Sequence, residues 1–249
     1  MNLQQELIQS FDTTKELDQF IANLLIEEMQ KPGLVMLPVG KTFEDGIYPQ
    51  VNHYFSEDEN RLRDEKDGSD IYREQHYQVH PQLSLTHLDE LIDAKTSFGD
   101  RLASELKELV NQCGDRFYKI NPDDIPNFER FIRSARGPRL IVLGLGADPN
   151  TAHVAFIGED YINSSIDRVE LTEALAAEHG CKQAVTIGTD IFRMPSIEAI
   201  IVVAKGKNKA KALAAAFDDP DTGLGYLIKY HADKLKIYTD QDAIFNLKH

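Results

Sequence analysis

Leu34-Val35-Met36-Leu37-Pro38-Val39-Gly40-Lys41-Thr42 reads as a short buried strand, a glycine turn and the start of a helix, and this succession decides the fold class. The helix is predicted from about 43 to 55, and a strand, glycine turn and helix together make a natural anion site. On the N-terminal side, Leu17, Phe20, Ile21, Leu24 and Leu25 recur at helical spacing. They predict a helix over 13–29, with Thr13 or Thr14 as its N-cap and Lys31-Pro32-Gly33 as its stop.

On the C-terminal side, the stretch from Ser56 to Glu74 has almost no large apolar residues. Residues 56–76 are therefore expected to be a mobile loop, solvated or acting as a lid. An alternating strand at 83–88 delivers Asp89-Glu90 at its carboxyl end, and helices are predicted over 97–112 and 126–134. Leu140-Ile141-Val142-Leu143 is a second apolar run that ends in glycines, Gly144-Leu145-Gly146. Further strands are predicted at 184–187, 199–204 and 235–238, with helices at 172–179 and 207–217. Strands alternating with helices imply an α/β fold: one doubly wound, mainly parallel sheet with helices on both faces, in a single domain over 1–249.

Composition narrows the function classes. The 249 residues are 42% hydrophobic and 27% charged, which is ordinary for a globular chain, and no apolar run approaches a membrane span. The polar, acidic start lacks the pattern of a secretory signal, so a cytoplasmic protein with no membrane partner is expected. Cys113 and Cys181 have no CxxC spacing and read as reduced, packed thiols, with no metal site. A net charge of -14 argues against a nucleic-acid partner. It leaves room for a small phosphorylated ligand held by backbone N–H groups and one or two cations.

In open α/β sheets the ligand sits at the carboxyl ends of the strands. Four such ends carry polar or glycine signals: Gly40-Lys41-Thr42, Asp89-Glu90, the stretch 144–153, and Gly206-Lys207-Asn208-Lys209. The first lacks the earlier glycine of an NTP-binding loop, and Gly144-Leu145-Gly146 lacks the third glycine of a dinucleotide fingerprint, so neither cofactor is expected. Lys209 near a helix N-terminus is unfavourable unless an anion is present, which supports phosphate. Glu90 could orient Asp89 or cap the next segment, and His231 reads as structural.

Taken in order, the four segments resemble the family of glucosamine-6-phosphate deaminases and 6-phosphogluconolactonases, with similarity from about Leu34 to Ala243. Leu37-Pro38-Val39-Gly40-Lys41-Thr42 is similar to the family's phosphate loop, with Lys41 in place of the usual Ser and Phe43 in place of the usual Pro. His87-Leu88-Asp89-Glu90 resembles the deaminases' Asp-Glu pair, and Ser97-Phe98 begins a helix where the family often has a Ser and an aromatic. Leu143-Gly144-Leu145-Gly146-Ala147-Asp148, then His153-Val154-Ala155-Phe156, resembles the family's glycine-rich motif. Lys209 falls at the phosphate-binding lysine and Arg168 near the phosphate-binding arginine.

The resemblance implies that Gly40, Lys41, Thr42, Lys209 and Arg168 bind the phosphate. It implies that Asp89 is the base that moves a proton between C2 and C1, that His153 helps to open the ring, and that Asp148 and Glu159 belong to the catalytic set, with no cofactor and no metal. Aldose–ketose isomerisation needs a carboxylate near the substrate carbon and a second group for the ring-oxygen proton. The chain departs from the family between Asp148 and His153. There Pro149-Asn150-Thr151-Ala152 stands in place of a single Gly, and Glu159 lies one position beyond the family's histidine-orienting glutamate.

The first expectation is an amino-sugar 6-phosphate deaminase that releases ammonia. A 6-phosphogluconolactonase-like hydrolase, a galactosamine-6-phosphate isomerase and a catalytically silent sugar-phosphate sensor stand beside it. The family's habit of association leaves a homo-oligomer open, although no heptad or apolar stripe marks an interface.

Overall fold

The computed structural model describes residues 3–56, 78–157 and 164–247. The N-terminal half runs α1 (Leu3–Leu7), β1 (Ile8–Phe11), α2 (Thr14–Met29), β2 (Gly33–Leu37), α3 (Lys41–Glu44), α4 (Ile47–Phe55), β3 (Leu83–His87), β4 (Asp89–Ile92), α5 (Phe98–Glu105), α6 (Lys107–Cys113), β5 (Phe117–Tyr118) and α7 (Ile125–Ser134). The remainder runs β6 (Pro138–Gly144), β7 (Ile166–Glu170), α8 (Glu173–His179), β8 (Gln183–Ile187), α9 (Thr189–Phe192), β9 (Ala199–Ala204), α10 (Ala210–Asp218), α11 (Gly223–His231) and β10 (Leu235–Asp240). A short 3-10 turn, Lys207–Lys209, leads into α10.

Seven strands form one parallel sheet in the order β1-β10-β9-β6-β2-β3-β5. Its central strands are apolar at successive positions because both faces are covered. Val35, Leu37, Val142 and Val203 join Leu17 and Ile21 of α2 and Val51 of α4 in one core. Leu34, Met36, Ile141, Leu143 and Val202 point the other way, with Phe128 of α7, Leu213 of α10 and Leu227 of α11. The period-two alternation of a strand thus feeds two separate cores. A capping box starts α2: Thr13 Oγ1 accepts from Glu16 N, and the Glu16 side chain accepts from Thr13 N. Such a cap stabilises a helix by about 1 kcal/mol.

From β2 the chain winds outward through β3 to β5. It then returns to β6 on the other side of β2 and winds outward again through β9 and β10. The reversal between β2 and β6 is the sheet's topological switch point, where a crevice opens at the strands' carboxyl ends.

The structure corrects several sequence expectations. The strand predicted at 184–187 is β8, which lies outside the main sheet, in a three-stranded antiparallel sheet between β4 and β7. Its apolar run shows that it is buried but not which strand it joins. Asp89-Glu90 follows β3 as expected and also opens a further short strand, β4. The helix expected over 43–55 is broken at Asp45-Gly46 into α3 and α4, and that over 97–112 is broken at Leu106 into α5 and α6. After His153, Val154 makes isolated bridges to Leu145 and Ile157. Beyond Ser56, the predicted mobile loop lies outside the described residues. No helix among the described residues is long and apolar enough to cross a membrane.

Candidate active site

The carboxyl ends of β2, β3, β6 and β9 open on one cleft of about 500 Å³, and α5 and α8 close its far side. That size lies within the roughly 300–1,000 Å³ of small-molecule sites. Gly40, Lys41 and Thr42 line it from the turn after β2, Asp89 from the start of β4, and His153 from the segment after β6. Lys205, Asn208 and Lys209 line it from the turn after β9. Three separated sequence signals, at the glycine turn, Asp89 and Lys209, therefore meet in one cavity.

Asp89 is buried, and burial pushes its carboxyl up to about 7. Two donors partly offset that penalty: Thr186 Oγ1–H at 2.5 Å and Phe156 N–H at 3.3 Å, both onto Oδ1. The backbone is fixed by His87, whose Nδ1 lies 2.6 Å from the Asp89 carbonyl oxygen. The N–H of Ile120 donates to His87 Nε2 at 2.9 Å, so Nδ1 carries the ring proton and donates to that carbonyl. Burial holds the His87 pKa below its usual value, consistent with this neutral form.

Glu90 does different work. Its carboxylate accepts from Ser97 Oγ at 2.7 Å, Phe98 N at 2.8 Å, Gly99 N at 3.0 Å and Leu91 N at 2.9 Å. The choice left open by the sequence is thereby resolved: Glu90 caps α5 and ties it to β4.

His153 sits on a segment held from several directions. Gly146 N donates to its carbonyl oxygen at 2.8 Å, Ala152 N donates to Asp148 O at 2.8 Å, and Gly223 N donates to Thr151 O at 2.8 Å. Residues 149–152 thus form a turn docked on the start of α11. Ala152 and Ala155, on either side of the histidine, both have left-handed backbones, with φ of 36° and 53°. Such conformations are costly for L-residues and persist where the surroundings enforce them. Gly146 is required by the ring itself, since a Cβ there would lie 2.2–2.4 Å from three atoms of the imidazole. His153 Nδ1 is 3.3 Å from Thr151 Oγ1. Burial, and then the charge of Lys209, lowers the His153 pKa, which favours a neutral imidazole. Lys209 is half-buried, and burial lowers its pKa as well.

Two expected site residues are not brought to the cleft. Asp148 is exposed and turns its carboxylate onto Asn150 N at 2.9 Å, so it stabilises the local turn. Arg168 is exposed on β7 and donates to the Pro122 carbonyl at 2.8 Å, with Asp123 at 3.7 Å. Its loose spacing from the glycine motif hid the fact that β7 belongs to the small sheet. Glu159 lies outside the described residues.

The structure also adds residues that the sequence reading missed. Thr186 is one, and its signal was only the strand itself. His179 is another: with Phe98 and Phe156, both within motifs already quoted, it forms an aromatic wall at the α5–α8 side, with ring centroids 5.4–6.1 Å apart. Lys205, one position before the Gly206 turn, is a third.

The fold is that of the sugar-phosphate deaminases and lactonases. A monomeric glucosamine-6-phosphate deaminase of the NagB superfamily superposes with a TM-score of 0.73 at 18% identity, over 96% of this chain and 99% of that one. The 6-phosphogluconolactonase from Thermotoga maritima gives 0.65 at 16% identity over 94% and 98%, and that from Trypanosoma cruzi gives 0.66 at 15% over 98% and 97%. No family model matches the sequence, and no curated protein matches it.

Proposed function

We propose that this chain is an amino-sugar-phosphate deaminase that converts glucosamine 6-phosphate to fructose 6-phosphate and ammonia. The observation that carries the reading is the placement of Asp89. It is a buried carboxyl in the same cleft as the Gly40 turn and Lys209, with a pKa of about 7 that suits a general base near neutral pH.

In this reading the phosphate is held by Lys209, Lys41, Thr42 and the turn at Gly40. Neutral His153 accepts the proton from the C1 hydroxyl and delivers one to the ring oxygen, which breaks the C1–O bond of the ring. Asp89 takes the proton from C2 and returns one to C1, while the C1 carbonyl oxygen gains the proton that the C2 amine loses, leaving a hydroxyl at C1 and an imine at C2. Water adds there and ammonia departs, so one water is consumed for each ammonia released.

A lactonase is the second reading, favoured by the fold likeness to lactonases and by a cleft histidine that could activate water. It gives Asp89 no required task, whereas the deaminase does. The test is to incubate the pure protein with glucosamine 6-phosphate and follow ammonia and fructose 6-phosphate together. Stoichiometric formation of both, lost in Asp89→Asn, is expected. Hydrolysis of 6-phosphogluconolactone with no ammonia from the amino sugar would replace this reading with the second.

A further inference from the structure

Lys205 is the first residue past β9. Its side chain lines the cleft but is only 14% exposed. Its ammonium lies 3.0 and 3.3 Å from the two carboxylate oxygens of Asp18, a residue of α2. Asp18 gains its place through Gly46, at the break between α3 and α4: a Cβ on Gly46 would lie 2.1 Å from Asp18 Oδ2. The turn that follows Lys205 is fixed independently. Asp240 accepts from Gly206 N at 3.1 and 2.9 Å, from Ala243 N at 2.9 Å and from Thr14 Oγ1 at 2.8 Å. Asp240 is thus committed to other donors, and among the described residues the Lys205 ammonium bonds to Asp18.

A largely buried ion pair is a weak source of stability, yet this one is built at the wall of a cleft. An ammonium has three N–H donors, and two suffice for the two Asp18 oxygens, leaving one for the cleft. Asn208 and Lys209, on the same turn, line the same wall.

We propose that Lys205, oriented by Asp18, is a further cation of the phosphate pole, acting with Lys209 and Lys41 to bind and align the phosphate dianion of the substrate. The assignment rests on the reading of the cleft as a sugar-phosphate site, but not on the chemistry that follows binding. Nothing in the sequence motifs points to it, because Lys205 precedes the glycine turn and Asp18 lies far away in the chain.

The test is calorimetric titration of the full-length protein with inorganic phosphate and with glucitol 6-phosphate, an open-chain sugar phosphate that cannot be deaminated. Lys205→Met alone would strand a buried Asp18 carboxylate. The decisive variant is therefore the doubly substituted Asp18→Asn, Lys205→Met, which leaves net charge unchanged and orphans no ion. It is expected to fold, by circular dichroism and thermal melting, and to bind both ligands at least tenfold more weakly than wild type. Lys207→Met, an exposed lysine stacked on Phe245, is expected to bind both within about twofold of wild type.

Binding by the folded double variant within twofold of wild type, with Lys209→Met weakened, would overturn the assignment and leave a purely structural ion pair. Tight wild-type binding that is lost in the double variant, with no ammonia from glucosamine 6-phosphate, would support the assignment while removing the deaminase reading. Failure of wild type to bind either ligand would overturn the pole and this assignment together.

Discussion

Thr186 Oγ1 lies 2.5 Å from Asp89 Oδ1, and the two residues are direct partners in the antiparallel β4–β8 pair. The small sheet therefore does more than cover the rim: its register brings a hydroxyl donor to the carboxylate that faces the cleft. A donor to the charged form lowers a carboxyl pKa, here against a larger upward push from burial. Thr186→Val removes the donor and keeps the shape. The acid limb of kcat/KM, governed by Asp89 ionisation near pH 7 in the wild type, is expected to move up by about one unit. Turnover at pH 7 should fall several-fold and recover at pH 9. A limb that stays in place in the pH–rate profile would show that Thr186 does not tune Asp89.

The same burial has a stability consequence. The folded-state pKa of Asp89, about 7, lies above the ordinary aspartate value of 3.8. The group's contribution is therefore fully present below pH 3.8 and is lost as pH rises through 7. Asn at this position does not titrate. Asp89→Asn is expected to gain on the order of 2–3 kcal/mol relative to wild type between pH 5 and pH 8. Urea unfolding of both proteins at the two pH values measures this. A constant difference would mean that Asp89 is ionised across the range.

The large features of this fold were legible because burial on both faces leaves a plain mark. β2 and β9 are apolar throughout and β6 carries the apolar run Leu140-Ile141-Val142-Leu143, and the polar residues that follow these runs had to lie at the ligand-bearing rim. The edge strand β1 has only four residues, with its two central positions exposed, so Ile8–Phe11 carried no strand signal. Pairing is non-local, which is why β8 was assigned to the main sheet and Thr186 went unnoticed. Arg168 illustrates the opposite error: an arginine in a suggestive place by order along the chain lies on β7, across β8 from β4, paired with Val185 and one residue out of line with the Asp89–Thr186 row, and it turns to the Pro122 carbonyl. Lys205 lay one residue before a recognised turn, and its partner Asp18 lay in a helix whose apolar spacing drew all the attention.

Glu90 offers a separation of fold from chemistry. Its two oxygens take four donors at the start of α5 and in β4, so Glu90→Gln leaves at least one N–H facing an amide N–H. Each buried donor without a partner costs about 1–3 kcal/mol, and in a chain of this size 1 kcal/mol is worth roughly 2–4 °C in Tm. The variant is expected to melt about 5–10 °C lower, with kcat/KM at 20 °C within about fivefold of wild type. An unchanged Tm with activity lost by 10²-fold or more would assign Glu90 to the reaction itself.

Gly146 and His153 can be tested as one unit. The imidazole occupies the space where a Gly146 side chain would be, with three ring atoms 2.2–2.4 Å from that Cβ. Gly146→Ala must therefore push the ring from its position at the cleft wall, while the phosphate pole around Lys209 keeps its own supports. kcat is expected to fall on the order of 10²-fold, as misplacement of a proton-transfer group does, with the Kd for inorganic phosphate unchanged. His153→Ala should lose at least as much, and adding Gly146→Ala to it should cost little more, because the ring that clashes is already gone. Additive losses in this double-mutant cycle would mean that Gly146 acts through the backbone of the turn and not through His153. Full activity of Gly146→Ala would mean that the imidazole has no part in the slow step.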